Sequence, residues 1–461
     1  NMRRGSIDRA YRTPVLWWEA PASPCCMTFA SLPRQFPVLT ALMSLGSAGC
    51  QGVGTGSGAS AGVPRVDLTT KAWFPPIVRQ QGNSCAQQVG LAYLLTAERN
   101  RERGVSSWSP DARLSPYQTY AILADSMTSG THVTDGWRLA RETGVPLEAD
   151  LPRAGRGLMH GFDKYVRAFR RKPADWQLLP LRTTADLKVV KDQLAAGHPV
   201  ACDFQIRGAK LVKRPEGGTL VKQWGRTGPG HNMVYAGYDD TIGLDTNGDG
   251  KITNDLDITG DGRVDLADQE RGAFLVANPW GPRWGTAGKA WALWREHALS
   301  PWPRSGEVAV VKAASDQSPR RMLRLSLALK ERRGLIVTVS DGTRTVQPLP
   351  FRSTTLPPPA GGMVSTWEMF GKMHRPGLPV SSGPLLNPSG GPLEIGLDIS
   401  SLSGNSSFSL TLTSAGPSLQ GTLHGASFVE LDGAGKVVRE SRIPNLPVVL
   451  PPTGGTWTVS R

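Results

Sequence analysis

The stretch at residues 74–104 contains one cysteine, Cys85, at the point where a loop changes into a helix. Beyond Cys85, apolar residues occupy more than one side of the predicted helix, which indicates a helix buried in a core. We expect Asn83 or Ser84 to cap its start, and residues 98–103 to return it to solvent. Unpaired backbone N–H groups in the first turn of a helix favour the thiolate form of cysteine. The position therefore predicts a nucleophile, with a small buried hydrophobic residue as the alternative.

Two distant motifs contain residue types that could complete a catalytic site with this cysteine. His231 begins an alternating apolar strand in the sequence GPGHNMVYAGYDD, and Asn278 follows another strand in the sequence AFLVANPWGPRWG. A histidine can pair with a thiolate and then protonate a leaving amine, while an asparagine amide can hold the imidazole in its orientation. The sequence therefore predicts a site of Cys85, His231 and Asn278. The alternative is that Trp280 and Trp284 mark only the aromatic core of a β region.

In this order and spacing, the three motifs resemble the papain-like cysteine peptidases over roughly residues 63–300. The separation of Cys85 and His231 falls within the roughly 130–150 residues typical of that family. The resemblance implies a papain-like fold of two halves, with the cysteine in a helical half, the histidine in a β-barrel-like half, and a substrate cleft between them. It also implies that Asn278 orients His231 and that Trp280 shields their contact from water.

The cysteine motif departs from the family pattern. The family places an oxyanion glutamine six residues before the nucleophile, whereas Gln81 lies only four residues before Cys85, and Ala86 replaces a tryptophan. The resemblance implies that Gln81 stabilises the oxyanion, with Gln80 as the alternative. We expect a secreted cysteine endopeptidase that hydrolyses protein or peptide substrates and needs no cofactor for catalysis. The alternatives are a catalytically inactive papain-like scaffold that acts through binding, and a peptidoglycan amidase, which the NPWG motif and the two-half layout disfavour.

The segment between the histidine and asparagine motifs, residues 245–268, consists of two contiguous twelve-residue units. Each unit has an oxygen-bearing side chain at positions 1, 3 and 5 and a glycine at position 6. This is the spacing of a calcium-binding loop, in which the glycine allows a sharp turn. Since there is no room for EF-hand helices, the units resemble dockerin or thrombospondin type 3 repeats. The alternative is a solvated acidic loop.

The two units differ at position 12, which usually supplies the closing carboxylate of a calcium loop. The second unit has Asp268 there, but the first has Leu256, so we expect the first site to borrow Asp255 or Asp257. We expect the bound Ca²⁺ to be structural. The predicted ligands are Asp245, Asn247, Asp249, Lys251, Asp257, Thr259, Asp261, Arg263, Asp265 and Asp268.

Residues 27–50 resemble a bacterial lipoprotein signal, with a basic residue, an apolar run, small residues and then Cys50. We expect secretion, and attachment to the outer membrane of the bacterial cell envelope if Cys50 is lipidated. Residues 1–26 would then be an upstream extension. Residues 51–62 are rich in glycine and serine, which predicts a flexible tether.

The sequence as a whole predicts an α+β fold, with a papain-like peptidase domain at residues 63–315 and an all-β sandwich at residues 316–461. In the second region, strand-like runs alternate with Gly, Pro and Ser turns. In the first region, helices are expected at residues 114–125, 135–152 and 186–196.

Charge and cysteine usage restrict the partners. The net charge of +14 is spread along the chain, and no nucleic-acid-binding motif accompanies it, so we expect no nucleic-acid partner. We also expect a monomer. After the signal, Cys85 and Cys202 are the remaining cysteines, which argues against a disulfide framework. Cys202 lies in a strand pattern and is expected to be buried.

Overall fold

The computed structural model combines helices and strands, and the residues that it describes belong to one compact unit. The predicted signal, Cys50 and the tether at residues 51–62 lie outside the described residues. Within the described part of the chain, no helix is both long enough and apolar enough to cross a membrane. The structure describes residues 63–124, 127–152, 158–301, 306–330, 335–348, 386–402, 407–414 and 420–460.

The central helix begins at Cys85 and consists of three consecutive segments, Cys85–Gln87, Gln88–Leu95 and Thr96–Arg103. The middle segment is π-helical, a form that often accompanies functional sites. All of its residues are buried, so the prediction of a helix inside the core is confirmed. Gly104 ends the helix in the left-handed conformation, which glycine adopts without steric cost.

The capping expectation for this helix is wrong, and the expected return to solvent at residues 98–103 is confirmed only for its end, where Glu102 and Arg103 are exposed. Ser84 makes no side-chain capping bond, and the side-chain amide of Asn83 donates to the backbone carbonyl of Thr128 instead. Glu98 and Asn100 are buried rather than solvated. Their burial is tolerated because both are hydrogen-bonded inside the protein. Glu98 pairs with Arg101 and His198, and Asn100 donates to Ser107 and Ala112.

Two of the other predicted helices, at residues 114–125 and 135–152, are shorter than expected, whereas the helix expected at residues 186–196 is Thr184–Ala195. The helix expected at residues 135–152 ends before Gly144, which has a φ of 69° and is the predicted C-cap. A β-carbon on Gly144 would lie 2.2 Å from the backbone carbonyl oxygen of Ala168, so only glycine fits. The further helices are Tyr117–Leu123, Val133–Thr143, Phe162–Phe169, Thr184–Ala195 and Trp294–Ala298, and short 3₁₀ helices are Leu68–Thr70 and Leu266–Asp268.

The larger sheet contains nine strands, namely β1 (Arg65–Asp67), β2 (Pro173–Pro180), β3 (Val200–Arg207), β4 (Lys210–Lys213), β5 (Thr219–Gln223), β6 (Thr227–Gly243), β7 (Arg271–Ala277), β8 (Lys289–Leu293) and β9 (Glu307–Ala313). Their order is β2-β9-β3-β6-β7-β8-β5-β4, with β1 paired to β6. The pairs are antiparallel except β5 with β8. The strand that contains His231 is therefore central, between β3 and β7.

A hydrophobic core joins the central helix to this sheet. It includes Leu91 and Leu94 of the helix, Val234 and Tyr235 of β6, and Val276 of β7, all of them buried. Full burial of each such side chain contributes about 1.5–3 kcal/mol to stability. The packing fixes the cysteine end of the helix against the beginning of the histidine strand.

The C-terminal part contributes two antiparallel sheets. Their strands are β10 (Arg321–Leu329), β11 (Leu335–Ser340), β12 (Thr345–Val346), β13 (Leu393–Asp398), β14 (Ser407–Ser414), β15 (Gly421–Leu431), β16 (Val437–Arg442), β17 (Val448–Val449) and β18 (Gly454–Ser460). One sheet has the order β13-β10-β15-β16, with β17 also paired to β15. The other has the order β12-β11-β14-β18.

Side chains of these two sheets meet in one core. Phe408 of β14 stacks on Phe428 of β15, with ring centroids 4.8 Å apart. Phe162 and Phe169, from the helix Phe162–Phe169, belong to the same core. The C-terminal sheets therefore pack directly against a helix of the predicted peptidase region.

Candidate active site

His231 and Asn278 are brought together by the pairing of β6 with β7. Val234 lies opposite Ala277 in this antiparallel pair, so the residues just before Val234 and just after Ala277 meet at one end of the sheet. Nε2 of His231 lies 2.9 Å from Oδ1 of Asn278, and both residues are buried. Because an amide oxygen only accepts, Nε2 carries the hydrogen and Nδ1 is the basic nitrogen of the neutral ring.

Trp280 lies over this contact. Its ring centroid is 4.7 Å from that of His231, with the planes tilted by 33°. Its backbone N–H donates to Oδ1 of Asn278 at 3.0 Å, so the amide oxygen is held from two sides. The indole is 41 % exposed, which places it between the imidazole and solvent.

Cys85 is the first residue of the central helix, and its thiol contacts the residue that follows His231. The backbone and side-chain amides of Asn232 and the N–H of Ala86 favour the thiolate. Burial acts in the opposite direction and is the larger effect, so the pKa of Cys85 is raised, with a further increase from the charge of Asp203. The helix start acts in the expected direction through the N–H of Ala86, but burial, which leaves only 9 % of the residue exposed, outweighs it.

Burial affects the histidine in the complementary way. It lowers the pKa of His231 to about 4, and the hydrogen bond with Asn278 only partly offsets this. With the pKa of the Cys85 thiol raised and that of the His231 imidazole lowered, burial favours the neutral form of each group in the free protein. A neutral imidazole is the form that can accept a proton.

The loop before Cys85 distinguishes its two glutamines. The backbone N–H of Gln80 donates to the carbonyl of Pro279 at 2.6 Å, and its side-chain amide donates to the carbonyl of Gly82 at 2.8 Å. Gln81 is half-buried, and its side chain makes no hydrogen bond within the described part of the chain. Of the two glutamines, Gln81 is therefore the one whose side-chain amide N–H groups are available to a ligand.

Sequence reasoning missed three neighbours of the nucleophile. Asn232 and Asp203 act on the thiol of Cys85, and the Cys85 group in turn acts on Tyr120. The Tyr120 hydroxyl donates to the carbonyl of Ser129 at 2.9 Å, and burial raises its pKa to about 12. The sequence signal for Asn232 was its position next to His231. Asp203 and Tyr120 gave no such signal, because their relation to Cys85 depends on tertiary packing.

The two twelve-residue units fold in the same way. Asp245 at position 1 of the first unit accepts from the N–H groups of Gly248 and Gly250, at 2.6 and 2.9 Å. Asp257 at position 1 of the second accepts from the N–H groups of Gly260 and Gly262, at 2.7 and 2.8 Å. The repeat read from the sequence is therefore also a structural repeat.

Asp268, the last residue of the second unit, is hydrogen-bonded to backbone N–H groups of that same unit. Its carboxylate is fully buried and accepts from the N–H groups of Ile258 and Thr259 at 2.9 and 2.8 Å, and from that of Asp265 at 3.0 Å. These donors are positions 2, 3 and 9 of the unit. Burial is the largest single effect on the pKa of Asp268 and raises it, but the hydrogen bonds from Asp265, Thr259 and Ile258 together outweigh burial, so the pKa is lowered.

Glu270 has the place in the first unit that Asp268 has in the second, and the expectation that Asp255 or Asp257 completes a calcium site there stays a prediction. It is fully buried and accepts from the N–H groups of positions 2, 3 and 9, which are Thr246, Asn247 and Thr253. Asp255 is exposed and accepts from the hydroxyl of Thr253. Asp257 accepts from the N–H of Gly260 in the second unit. Glu270 lies beyond the twelve residues, so counting positions could not identify it.

The donor set of these units suits a hard cation. Carboxylate, amide and hydroxyl oxygens predominate, together with the backbone carbonyls of Lys251 and Arg263, and Ca²⁺ binds six to eight such oxygens. Within the described residues, however, no group of three or more His, Cys, Asp or Glu side chains is arranged as a metal site. In the structure the predicted carboxylate ligands face backbone N–H groups of their own loops instead, as Asp249 does toward Lys251.

Comparisons with known proteins give a structural likeness only. No protein-family profile and no curated protein match the chain. Among solved structures, a digestive procathepsin L 3 of Tenebrio molitor is 13 % identical, with a TM-score of 0.37 over 56 % of this chain and 72 % of that one. Bromelain of Ananas comosus is 13 % identical, with a TM-score of 0.36 over 54 % and 99 %. Xylellain, a cysteine protease from Xylella fastidiosa, is 20 % identical, with a TM-score of 0.36 over 55 % and 87 %.

Proposed function

We propose that the protein is a papain-like cysteine peptidase in which Cys85 is the nucleophile. The observation that carries this proposal is the contact of His231 with Asn278 beneath Trp280. It fixes the tautomer of the imidazole and leaves Nδ1 as the base, next to the residue that contacts the thiol.

The proposed reaction starts from the neutral pair. As Sγ of Cys85 attacks the peptide carbonyl carbon, Nδ1 of His231 accepts the thiol proton. Gln81 and the unpaired N–H at the start of the central helix stabilise the oxyanion. The imidazolium then donates the proton to the leaving amine, and a thioester remains on Cys85. Water, deprotonated by His231, hydrolyses the thioester and restores the thiol.

The proposal includes the architecture around the site. The helices between Cys85 and Phe169 would form one half of a papain-like domain, and the larger sheet the other, with the substrate bound between them. The two C-terminal sheets, which share one core, would form the predicted β-sandwich. We further propose that the protein is secreted and anchored through Cys50, and that Ca²⁺ stiffens residues 245–268.

A catalytically inactive scaffold is the second candidate, because burial raises the pKa of Cys85. The deciding experiment measures hydrolysis of unfolded casein by the full chain and by the variants Cys85→Ala and His231→Ala. The peptidase proposal expects cleavage by the wild type and none by Cys85→Ala. Absence of cleavage by the folded wild type, with and without Ca²⁺, would favour the scaffold.

A further inference from the structure

Four exposed basic side chains form a cluster at one end of the larger sheet, namely Arg207, Lys210, Lys222 and Arg226, and we call them the basic cluster. In the antiparallel pair of β3 and β6, Arg207 is opposite the residue that follows Arg226. In the antiparallel pair of β4 and β5, Lys210 is opposite the residue that follows Lys222. Since only two residues separate the end of β3 from the start of β4, both pairs lie at the same end of the sheet.

Two glycines bring the chain close to Arg207. A β-carbon on Gly225 would lie 2.5 Å from the backbone carbonyl oxygen of Arg207, and one on Gly228 would lie 3.2 Å from the β-carbon of Arg207. The approach at Gly225 leaves no room for a side chain, so only glycine fits there. The chain from Lys222 to Gly228 therefore runs directly beside Arg207, and the basic side chains stay together.

Neighbouring carboxylates do not offset the charge of the basic cluster. Across residues 204–231 the sequence has six basic residues and one acidic residue, Glu216, which pairs with Arg214. Among the residues that the structure describes, no carboxylate forms an ion pair with a member of the cluster. Glu296, which is close enough to feel the charge of Arg226, is a buried carboxyl. Like charges held together at a surface favour the binding of an anionic group.

An exposed stretch of β6 connects the basic cluster to the candidate active site. Thr227 and His231 are four residues apart in this strand, which corresponds to about 13 Å at roughly 3.3 Å per residue. Pro229 and Gly230 lie between them and are exposed, and neither carries a charge. An extended polypeptide would cover the same distance with about four residues.

We propose that the basic cluster binds an acidic segment of a polypeptide substrate, about four residues from the bond that Cys85 attacks. This inference rests on the proposed peptidase function. The glutamate or aspartate carboxylates of the substrate would pair with the exposed lysine and arginine side chains, and its chain would pass over Pro229 and Gly230 to His231. The short distance favours a segment of the substrate over a separate anionic polymer, because one peptide reaches both places.

The first test measures binding and does not depend on peptidase activity. A fluorescently labelled hexaglutamate peptide is titrated with the full chain at low salt, and its anisotropy is followed. The triple variant Lys210→Gln, Lys222→Gln and Arg226→Gln removes most of the charge of the basic cluster, and Arg207 is kept because it packs against the two glycines. We expect the triple variant to have a Kd roughly tenfold higher than the wild type, since each exposed ion pair contributes modestly.

A second triple variant controls for net charge. Lys188→Gln, Lys312→Gln and Lys436→Gln remove the same charge at exposed positions outside β3–β6 and should leave the Kd within about twofold of the wild type. The single variant Lys222→Gln should have an intermediate Kd, and it keeps the test available if the cluster triple variant does not fold. Equal weakening by the two triple variants would overturn the inference, because net charge alone would then explain the binding.

The second test measures cleavage of matched peptides. The peptides carry three glutamates or three glutamines four residues from the scissile bond, on its N-terminal side in one series and on its C-terminal side in another. In one series the wild type should have a kcat/KM roughly tenfold higher for the glutamate peptide, mainly through a lower KM. The cluster triple variant should lose this preference, and the control triple variant should keep it.

The outcomes separate this inference from the proposed function. Active enzyme without a glutamate preference in either series would overturn the inference and leave the proposed function standing. Binding of hexaglutamate by the basic cluster without cleavage of any peptide would support the cluster as a site for acidic polypeptide and overturn the proposed function. Binding of heparin but not of hexaglutamate would overturn the inference in favour of an anionic polysaccharide.

Discussion

Nε2 of His231 lies 2.9 Å from Oδ1 of Asn278, beneath the indole of Trp280, and this contact fixes which ring nitrogen can act as the base. Burial of the pair lowers the pKa of His231 to about 4. The imidazole is therefore neutral, and able to accept the thiol proton, at any pH well above that value.

Removal of the indole should change the pH dependence of activity. Trp280→Ala exposes His231 to water, so its pKa should rise toward the ordinary value of about 6.5. Because only the neutral imidazole accepts a proton, the acid limb of kcat/KM should move from near pH 4 to higher pH. Trp108→Ala removes an exposed tryptophan elsewhere and should leave the limb in place. An acid limb that does not move in Trp280→Ala would contradict the shielding role.

The two loop glutamines should differ in their effect on turnover. Gln81→Ala should lower kcat by about 10²–10³, the usual cost of one oxyanion donor, and leave alkylation of Cys85 nearly unchanged. Gln80→Ala is the matched control, because its amide already donates to Gly82. A larger loss in Gln80→Ala would show that the assignment is wrong by one residue.

Glu270 should stabilise the first unit as Asp268 stabilises the second. Glu270→Gln turns an amide N–H₂ toward backbone donors, which should cost about 1–3 kcal/mol in the free energy of unfolding. Asp255→Asn, at an exposed position in the same unit, should have little effect. Chemical denaturation checks both variants. Equal loss of stability in the two would contradict the special position of Glu270.

Calcium should raise the thermal stability of the protein. A ligand that binds only the folded state adds roughly 2.7 kcal/mol at a hundredfold excess over its Kd. The double variant Asp249→Ala and Asp261→Ala, which removes position 5 from each unit, should mimic chelation. Equal melting curves in calcium and in EGTA would show that residues 245–268 are a solvated acidic loop.

Glu296 should make the stability of the protein depend on pH. Burial raises its pKa to about 7, and the N–H of Trp224 only partly offsets this. A folded pKa above the unfolded value of about 4.3 gives a contribution that is complete below pH 4.3 and is lost as pH rises through about 7. Unfolding measured from pH 5 to 8 should show a loss of roughly 2–4 kcal/mol that Glu296→Gln removes. The same pH dependence in Glu296→Gln would contradict this assignment.

The sequence predicted candidate site residues that have local signatures, but it could not predict neighbours that are defined by strand register. Cys85 begins a helix and Asn278 follows β7 as predicted, whereas His231 lies inside β6, which begins at Thr227 rather than at the histidine. Asp203 could not be found, because its relation to Cys85 depends on which residue of β6 lies opposite it.

Two further omissions have different causes. The raised pKa of Cys85 follows from burial by distant chain segments, which no local pattern reports. The helix Phe162–Phe169, in contrast, has apolar residues at helical spacing, and the pattern was available in the sequence. Its place against the C-terminal sheets still required the structure.

The most direct test of the central claim, that His231 is the base for Cys85, measures iodoacetamide alkylation of the Cys85 peptide against pH in the full chain and in His231→Ala. Near pH 7 the wild type should react at least roughly tenfold faster, because the imidazole accepts the thiol proton. The variant should react appreciably only at alkaline pH, as its buried thiol ionises there. Coincident profiles for the two proteins would contradict the account.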